Sequence, residues 1–411
     1  MNVLNTCLLV VGLLVLILGL LSGLLKRRGI SDRLVALGVG VALGPEVLNV
    51  LNPADWGDQH LVLEQAARLT LGIGLMGVAL RIPFGFTRKS WKSIGLLLIG
   101  GMVGMWIISS VLLWAFLGLG VWAALLVGAV VTPTDPVAAS VIVTGEVAEK
   151  NLPDRLRHLI SAESGLNDGL AYLFVLLPIF FLDRAKDEPL LDWLTRGLLW
   201  DVGVAVLVGG VLGYVTGRLL EWAEERNYIE RASFLAITLA LALVALGAVK
   251  LIGSDGLLAV FVAGMAFDSV VKVEERAEEE QVVAALDRFL TLPIFTLLGL
   301  TLPWADWREL GWTGPGLCLA ILLLRRLPVL LLLTPVVPAL KDRRDSLYLG
   351  WFGPIGVAAL FYASLAVKRT EVHEAWVVAS LLITASIVVH GLTATPLTRL
   401  YGAQGKSAES Q

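Results

Sequence analysis

Residues 161–169 read Ser161-Ala-Glu163-Ser164-Gly-Leu-Asn167-Asp168-Gly169 and lie within a long apolar run. Two carboxylates and an asparagine thus occur in sequence that otherwise predicts a membrane-spanning helix. An ionisable side chain at membrane depth is energetically costly, and such residues usually line an ion or proton pathway. The segment therefore predicts a span and a functional site at the same place.

The composition of the whole chain agrees with a membrane protein. Of the 411 residues, 57% are hydrophobic and 16% are charged, and the mean hydropathy is +0.80. Soluble domains average roughly 45–50% apolar residues, so we expect an all-α polytopic protein embedded in a lipid bilayer as one transmembrane unit. About 20 apolar residues cross the hydrocarbon core, and this rule predicts about thirteen spans. They are 6–25, 31–49, 62–80, 93–116, 119–143, 157–182, 199–221, 231–251, 254–271, 286–302, 313–339, 346–367 and 374–400.

The basic residues predict the orientation, because Lys and Arg are enriched in cytoplasmic loops. They follow alternate spans: Lys26, Arg27 and Arg28, then Arg88 and Lys89, then Lys150 and Arg155, and finally Lys341 and Arg343. We expect a multi-pass protein of the cell (inner) membrane with its amino terminus outside and residues 402–411 as a short cytoplasmic tail. The first span lacks a basic leader and a cleavage signal, so we expect it to be retained.

Several classes of protein are disfavoured by missing motifs. The sequence contains no Walker A loop, no dinucleotide fingerprint and no His-Glu-x-x-His motif. Cys7 and Cys318 lie in apolar spans without metal-ligand or redox spacing. We therefore expect no cofactor, no nucleic-acid partner and no enzymatic activity.

A short internal match predicts the architecture. Ser31-Asp-Arg-Leu-Val-Ala aligns with Ser254-Asp-Gly-Leu-Leu-Ala, and the two copies open the second and ninth predicted spans. An odd number of spans separates them, so the copies have opposite orientations, as inverted-topology repeats require. We expect a first repeat over 31–182 and an inverted second repeat over 254–400.

The same shift of seven spans pairs two helix interruptions. Pro133 and Pro136 flank Thr134-Asp135 in the fifth predicted span, and Gly353-Pro354 lies in the twelfth. Interrupted spans at matching positions of two repeats are typical of a transporter's binding site. The sequence therefore predicts two interrupted helices that cross.

Oxygen-bearing side chains cluster at the first interruption and on the next span. Residues four apart share a helix face, which places Ser164 beside Asp168 and Glu163 beside Asn167. Ser164 and Asp168, together with Thr134, could surround a small monovalent cation with oxygen ligands. Asp135 and Asn167 complete the set of candidate cation- and proton-binding residues. In the absence of the cation, the Asp168 carboxylate could take up a proton, and a group that binds either one is enough to build an exchanger.

Two alternatives stay open for the aspartates. Asp168 could instead be an ion-paired structural residue. Asp135 could be a cation ligand, or it could balance the helix dipoles where the two halves of the fifth span meet.

Glu163 requires a positively charged partner, because an isolated buried charge costs several kcal/mol. Arg325 and Arg326 lie near the middle of the predicted eleventh span, and we expect one of them to pair with Glu163. Alternatively, both arginines mark a loop.

Two weaker signals concern other spans. Glu64 and Arg68 are four residues apart and predict a local helix pair. His390 lies inside the last span, where we favour a packing or hydrogen-bonding role.

The motifs also resemble a family when they are taken in order. They are Thr134-Asp135-Pro136, then Glu163 to Gly169, then Arg325 or Arg326 before Leu327-Pro328, then Gly353-Pro354-Ile355-Gly356, and finally His390-Gly391. Together they resemble the monovalent cation:proton antiporter superfamily, in its sodium/proton exchanger branch.

The resemblance implies roles for these positions. Asp168 would carry cation and proton in turn, Ser164 would help to coordinate the ion, and Thr134 and Asp135 would lie in the crossed helix. Glu163 would pair with an arginine, and the alignment favours Arg325. Asn167 stands where another branch has a second aspartate, which implies electroneutral exchange of one cation for one proton. The resemblance also implies a homodimer in which a core domain moves against a dimerisation domain.

The functional expectation is therefore a secondary transporter that exchanges Na⁺, or alternatively K⁺ or Li⁺, for H⁺ by alternating access at Asp168. A monovalent cation channel or uniporter without proton coupling is the first alternative. An intramembrane hydrolase using Asp135 and Asp168 is the second, although no Gly-x-Gly-Asp motif supports it.

Overall fold

The computed structural model describes residues 2–28, 30–183, 187–229, 233–271 and 289–409, and these ranges contain helices and no strand. Within these ranges, six helices are long and apolar enough to cross a membrane: Gln59–Arg81, Phe84–Leu117, Asp154–Leu182, Pro189–Glu225, Thr313–Leu333 and Glu374–Gln404. Shorter apolar helices accompany them. The predicted all-α polytopic fold is confirmed, whereas the count of thirteen spans is not established.

The helices are labelled here in chain order. Those of the first part are α1 (Asn2–Leu20), α2 (Ser22–Arg28), α3 (Asp32–Leu43), α4 (Gln59–Arg81), α5 (Phe84–Leu117), α6 (Val121–Val130), α7 (Pro136–Val143), α8 (Gly145–Asn151) and α9 (Asp154–Leu182). Those of the second part are α10 (Pro189–Glu225), α11 (Ser233–Leu251), α12 (Gly256–Asp268), α13 (Phe289–Leu300), α14 (Trp304–Glu309), α15 (Thr313–Leu324), α16 (Leu327–Leu333), α17 (Arg343–Trp351), α18 (Val357–Thr370) and α19 (Glu374–Glu409).

Both predicted interruptions are present, and they meet. Residues 131–135 separate α6 from α7, and residues 352–356 separate α17 from α18. The Asp135 backbone N–H donates to the Pro354 carbonyl oxygen at 2.9 Å, so the two breaks touch. Proline lacks a backbone N–H and clashes with the preceding turn, which explains why the helices stop here.

A third break lies at the two arginines, where the sequence predicted one continuous span or, as the alternative, a loop. The predicted span 313–339 is divided at residues 325–326 into α15 and α16, and α16 ends at Leu333. Pro328 removes one helical hydrogen bond just after the bend. At the other end of the chain, α19 continues through part of the predicted tail 402–411, as far as Glu409.

A buried carboxylate joins α17, the helix before the second break, to α9 and α19. Asp345, at the start of α17, is 1% exposed. It accepts hydrogen bonds from Arg155 of α9 at 2.7 Å and from the Tyr401 hydroxyl of α19 at 2.6 Å. These charge-assisted bonds fix α9, α17 and α19 relative to one another.

The predicted local pair of Glu64 and Arg68 is wrong. Glu64 of α4 binds Lys368 of α18 at 3.3 Å, and Arg68 donates to the Leu246 carbonyl oxygen of α11 at 3.1 Å. Each side chain therefore contacts a neighbouring helix, α18 for Glu64 and α11 for Arg68, and these contacts replace the pair within α4.

Small residues allow α10 and α12 to pack closely. Gly209, Gly213 and Gly217 are buried on one face of α10. A Cβ on Gly213 would overlap the backbone carbonyl of Ala263, and one on Gly209 would overlap that of Ala259. Membrane helices commonly use such small-residue faces to bring their backbones together.

We expect Gly213→Ala to lower the stability of the protein by about 1–3 kcal/mol, the usual cost of overpacking. Gly210→Ala is the matched control, because its Cβ would meet only the Val262 side chain at 4.0 Å. Thermal unfolding midpoints of the two variants in detergent test this, and equal midpoints would contradict the packing argument.

Candidate functional site

Asp135 joins the two breaks through its carboxylate, which is buried. One oxygen, Oδ1, accepts from the Ala138 backbone N–H at 2.9 Å, and the other, Oδ2, accepts from the Val357 backbone N–H at 2.7 Å. These N–H groups belong to the first turns of α7 and α18. A helix N-terminus carries partial positive charge, so Asp135 caps two helices with one negative charge.

Arg325 occupies the opposite ends of the same broken helices. Its guanidinium donates to the carbonyl oxygens of Val131 and Thr132, just after α6, and to that of Gly353, just after α17. The side chain is 2% exposed. Helix C-termini carry partial negative charge, so this buried cation offsets two C-terminal ends.

Arg326 forms a bidentate ion pair with Glu163 of α9. Its Nη1 and Nη2 atoms lie 2.9 Å from Oε1 and Oε2 of Glu163, respectively, and both side chains are 2% exposed. Its Nε atom also donates to the Leu349 carbonyl oxygen at 2.9 Å. The alignment that favoured Arg325 as the partner of Glu163 is therefore wrong, because the bend between α15 and α16 turns the two arginines in different directions.

Asn167 connects the ion pair to the first break. Its Oδ1 atom accepts from the Thr134 backbone N–H at 3.0 Å. Its Nδ2 atom donates to Thr134 Oγ1 at 2.7 Å and to Glu163 Oε1 at 3.0 Å. Thr134 Oγ1 is also 3.1 Å from Ser164 Oγ. The two hydroxyls proposed from sequence therefore touch, and the amide of Asn167 is fixed by three hydrogen bonds.

Asp168 differs from the other acidic residues at the crossing. It is 0% exposed, and neither carboxylate oxygen has a hydrogen-bond partner among the residues that the structure describes. Its backbone carbonyl oxygen accepts from the Tyr362 hydroxyl of α18 at 2.5 Å. Because an unpaired buried carboxylate is strongly unfavourable, this group favours binding a proton or a small cation.

The structure brings most of the candidate residues to one place. Those at or beside the crossing are Pro133, Thr134, Asp135, Pro136, Glu163, Ser164, Asn167, Asp168, Arg325, Arg326, Gly353 and Pro354. Sequence reasoning missed Tyr362 and Ser386, which bind Asp168 and the second break. Hydroxyl side chains are common in apolar helices, so the sequence did not single out either residue. The one available indication was the spacing of Ser386 and His390, which are four residues apart and share a helix face.

Replacing Glu163 with Gln should leave Arg326 buried and unpaired and lower stability by about 3–5 kcal/mol. The control is Glu146→Gln, which breaks an exposed ion pair: the side chain of Lys150 is 69% exposed and that of Glu146 is 72% exposed. An exposed pair contributes about 0–1 kcal/mol. Unfolding of both variants in denaturant can be followed by intrinsic fluorescence. Similar losses of unfolding free energy would show that the buried pair stabilises the protein no more than the exposed pair does.

Comparison with known proteins gives consistent matches. The family model described as "Sodium/hydrogen exchanger, transmembrane" matches residues 12–400. A protein named Na(+)/H(+) antiporter 2 from Zygosaccharomyces rouxii is 35% identical over 372 residues, which cover 88% of this chain and 46% of that protein. The Na(+)/H(+) antiporter of Saccharomyces cerevisiae is 32% identical over 421 residues, with 94% of this chain and 43% of that protein covered. The chain thus spans about half the length of these two relatives.

A solved structure has a similar fold. The sodium proton antiporter MjNhaP1 from Methanocaldococcus jannaschii, determined at pH 8, aligns with a TM-score of 0.71 and 18% sequence identity. The alignment covers 96% of this chain and 99% of that one. At this identity the similarity concerns the fold alone.

Proposed function

Because this chain belongs to the sodium/hydrogen exchanger family, we propose that it is an integral membrane transporter that exchanges a monovalent cation, Na⁺ first, for H⁺. The observation that carries the proposal is the fully buried Asp168 carboxylate without a described partner beside two crossed helix breaks. The two yeast relatives named sodium antiporters support the same activity. A relative from Alkalimonas amylolytica that is 26% identical is named K(+)/H(+) antiporter NhaP, which leaves K⁺ as an alternative to Na⁺.

The charges at the crossing support a stoichiometry of one cation for one proton. Asp135 is held by two helix N-termini, and Glu163 is paired with Arg326. Asn167 is neutral. Asp168 therefore contributes one negative charge that its protein surroundings leave uncompensated, and one monovalent cation or one proton would neutralise it. Exchange would then be electroneutral.

The ligands follow from the same geometry. Asp168 would be the shared site, and Ser164 and Thr134 would offer hydroxyl oxygens to the cation, as hard cations prefer. Asn167 would position Thr134. For Asp135 we favour the capping role over a ligand role, because both of its carboxylate oxygens already accept backbone hydrogen bonds.

Two cavities flank the crossing and support alternating access. One, of about 550 Å³, borders Ser140 and Pro354. The other, of about 560 Å³, borders Tyr172, Asp201 and Arg369. The Val143 carbonyl at the end of α7 accepts from Arg157 near the start of α9, and Thr134 just before α7 touches Ser164 farther along α9. The two helices therefore run in opposite directions, which places Ser140 and Tyr172 on opposite sides of the crossing. Access to Asp168 from each side in turn would give exchange.

The wider setting is proposed on sequence grounds. Basic loops favour a cytoplasmic carboxyl terminus and an external amino terminus in the cell membrane. The family resemblance favours a homodimer, and the internal match favours inverted repeats over 31–182 and 254–400.

Asp168→Asn should abolish proton movement driven by added Na⁺ in sealed proteoliposomes, because an amide can neither bind a proton nor neutralise a cation. Glu146→Gln, which removes an exposed carboxylate, should exchange as the unchanged protein does. Internal pH is followed with a fluorescent dye while valinomycin and K⁺ clamp the membrane potential. Na⁺ flux that follows the potential and moves no protons would instead favour a channel.

Competition for one carboxylate also predicts the pH dependence. On the acid side, lowering the pH by one unit should raise the apparent KM for Na⁺ by up to about tenfold, because protons then occupy Asp168 by mass action. The maximal rate at saturating Na⁺ should change little. Initial rates over a grid of Na⁺ concentrations and pH values measure this, and an apparent KM that ignores pH would exclude a shared site.

A further inference from the structure

The second break, residues 352–356, exposes backbone groups that the interrupted helix cannot satisfy. The crossing binds some of them: Arg325 binds the Gly353 carbonyl, and Asp135 binds the Pro354 carbonyl and the Val357 N–H. Two other groups are bound from α19. The Trp351 carbonyl oxygen lies 2.9 Å from His390 Nε2, and the Ile355 N–H donates to Ser386 Oγ at 2.8 Å.

These bonds form one directional chain. The Trp351 carbonyl can only accept, so His390 Nε2 carries the hydrogen. In the neutral ring, Nδ1 is then an acceptor. It lies 3.0 Å from Ser386 Oγ, which can donate to it, and 3.0 Å from the Ser386 carbonyl oxygen, which cannot. The Ser386 hydroxyl donates to Nδ1 and accepts from the Ile355 N–H. Ser386 and His390 therefore bind the residue before the break and a residue within it. We call this pair of side chains the splint.

The surroundings show that hydrogen bonds hold this backbone on the side of α19. Ser386 is 0% exposed and His390 is 8% exposed. Both residues, with Pro354 and Ile355, border the cavity of about 550 Å³. Phe352 and Ile355 of the break are themselves buried in the apolar core, and the polar chain adds the directional hydrogen bonds that apolar packing lacks.

We infer that Ser386 and His390 are positioning residues that fix the two ends of the second break for cation–proton exchange. Their effect reaches Asp168 through α18. The splint sets where α18 begins, Asp135 caps that start, and Tyr362 of the same helix donates to the Asp168 carbonyl oxygen. This inference rests on the proposed exchange function.

The test compares three substitutions in the full-length protein. His390→Leu removes the donor to Trp351, whereas His390→Gln keeps an amide donor near the position of Nε2. Ser386→Ala removes the acceptor for Ile355 and stays informative if the leucine variant does not fold. The matched control is Thr393→Val, because Thr393 of α19 accepts from the Trp351 indole at 3.1 Å without touching the backbone of the break.

Two readouts are taken: the turnover number for Na⁺-driven proton movement, and deuterium uptake by peptides that cover residues 350–358. His390→Leu and Ser386→Ala should lower turnover by about fivefold or more, the effect of one lost hydrogen bond, and should raise uptake at the break. His390→Gln should retain at least roughly half of the turnover, since the donor remains. Thr393→Val should match the unchanged protein in both readouts.

Two results would overturn the inference: unchanged turnover and uptake in His390→Leu and Ser386→Ala, or a glutamine variant as impaired as the leucine variant. If the unchanged protein moves no protons, the proposed exchange function fails. Deuterium uptake still decides, in that case, whether the splint holds the break.

Discussion

Asp135 accepts backbone hydrogen bonds from the first turns of α7 and α18, while Arg325 donates to carbonyl oxygens that follow α6 and α17. Two helices broken at the same depth would otherwise leave unsatisfied backbone groups and facing dipole ends in an apolar environment. One buried carboxylate and one buried guanidinium offset the dipole ends and bind several of these backbone groups. Asn167, Ser386 and His390 bind others. The crossing therefore depends on both charges.

The roles of the other charged residues at the crossing follow from this arrangement. Arg326 is turned away from Arg325 by the bend after α15 and is available to Glu163. Asn167 ties that pair to Thr134. Each charge at the crossing then has an opposite charge or dipole, except that of Asp168. A site that holds one uncompensated carboxylate among fixed dipoles is suited to bind one small positive species at a time.

The sequence predicts where the helices break, but it does not predict every contact between the side chains at the crossing. The breaks at Thr134-Asp135 and Gly353-Pro354 were predictable, because proline and glycine act on the backbone locally. Which arginine pairs with Glu163 was not predictable, because the directions of two consecutive side chains depend on the bend between α15 and α16. A packing or hydrogen-bonding role was expected for His390, but its partner Trp351 was not. Tyr362, Ser386 and His390 make contacts between helices far apart in sequence, which no spacing within one helix reveals.

The central claim is that Asp168 carries the single uncompensated charge, so that each cycle moves no net charge. The most direct test loads proteoliposomes with Na⁺ and H⁺ gradients that point in the same direction, so that they drive the exchanger in opposite directions, and finds the ratio of the gradients at which net proton flux vanishes, at several clamped membrane potentials. The account predicts that flux vanishes when the two gradients are equal, whatever the potential. A null point that shifts with the potential would contradict it and would require a second charge in the transport cycle.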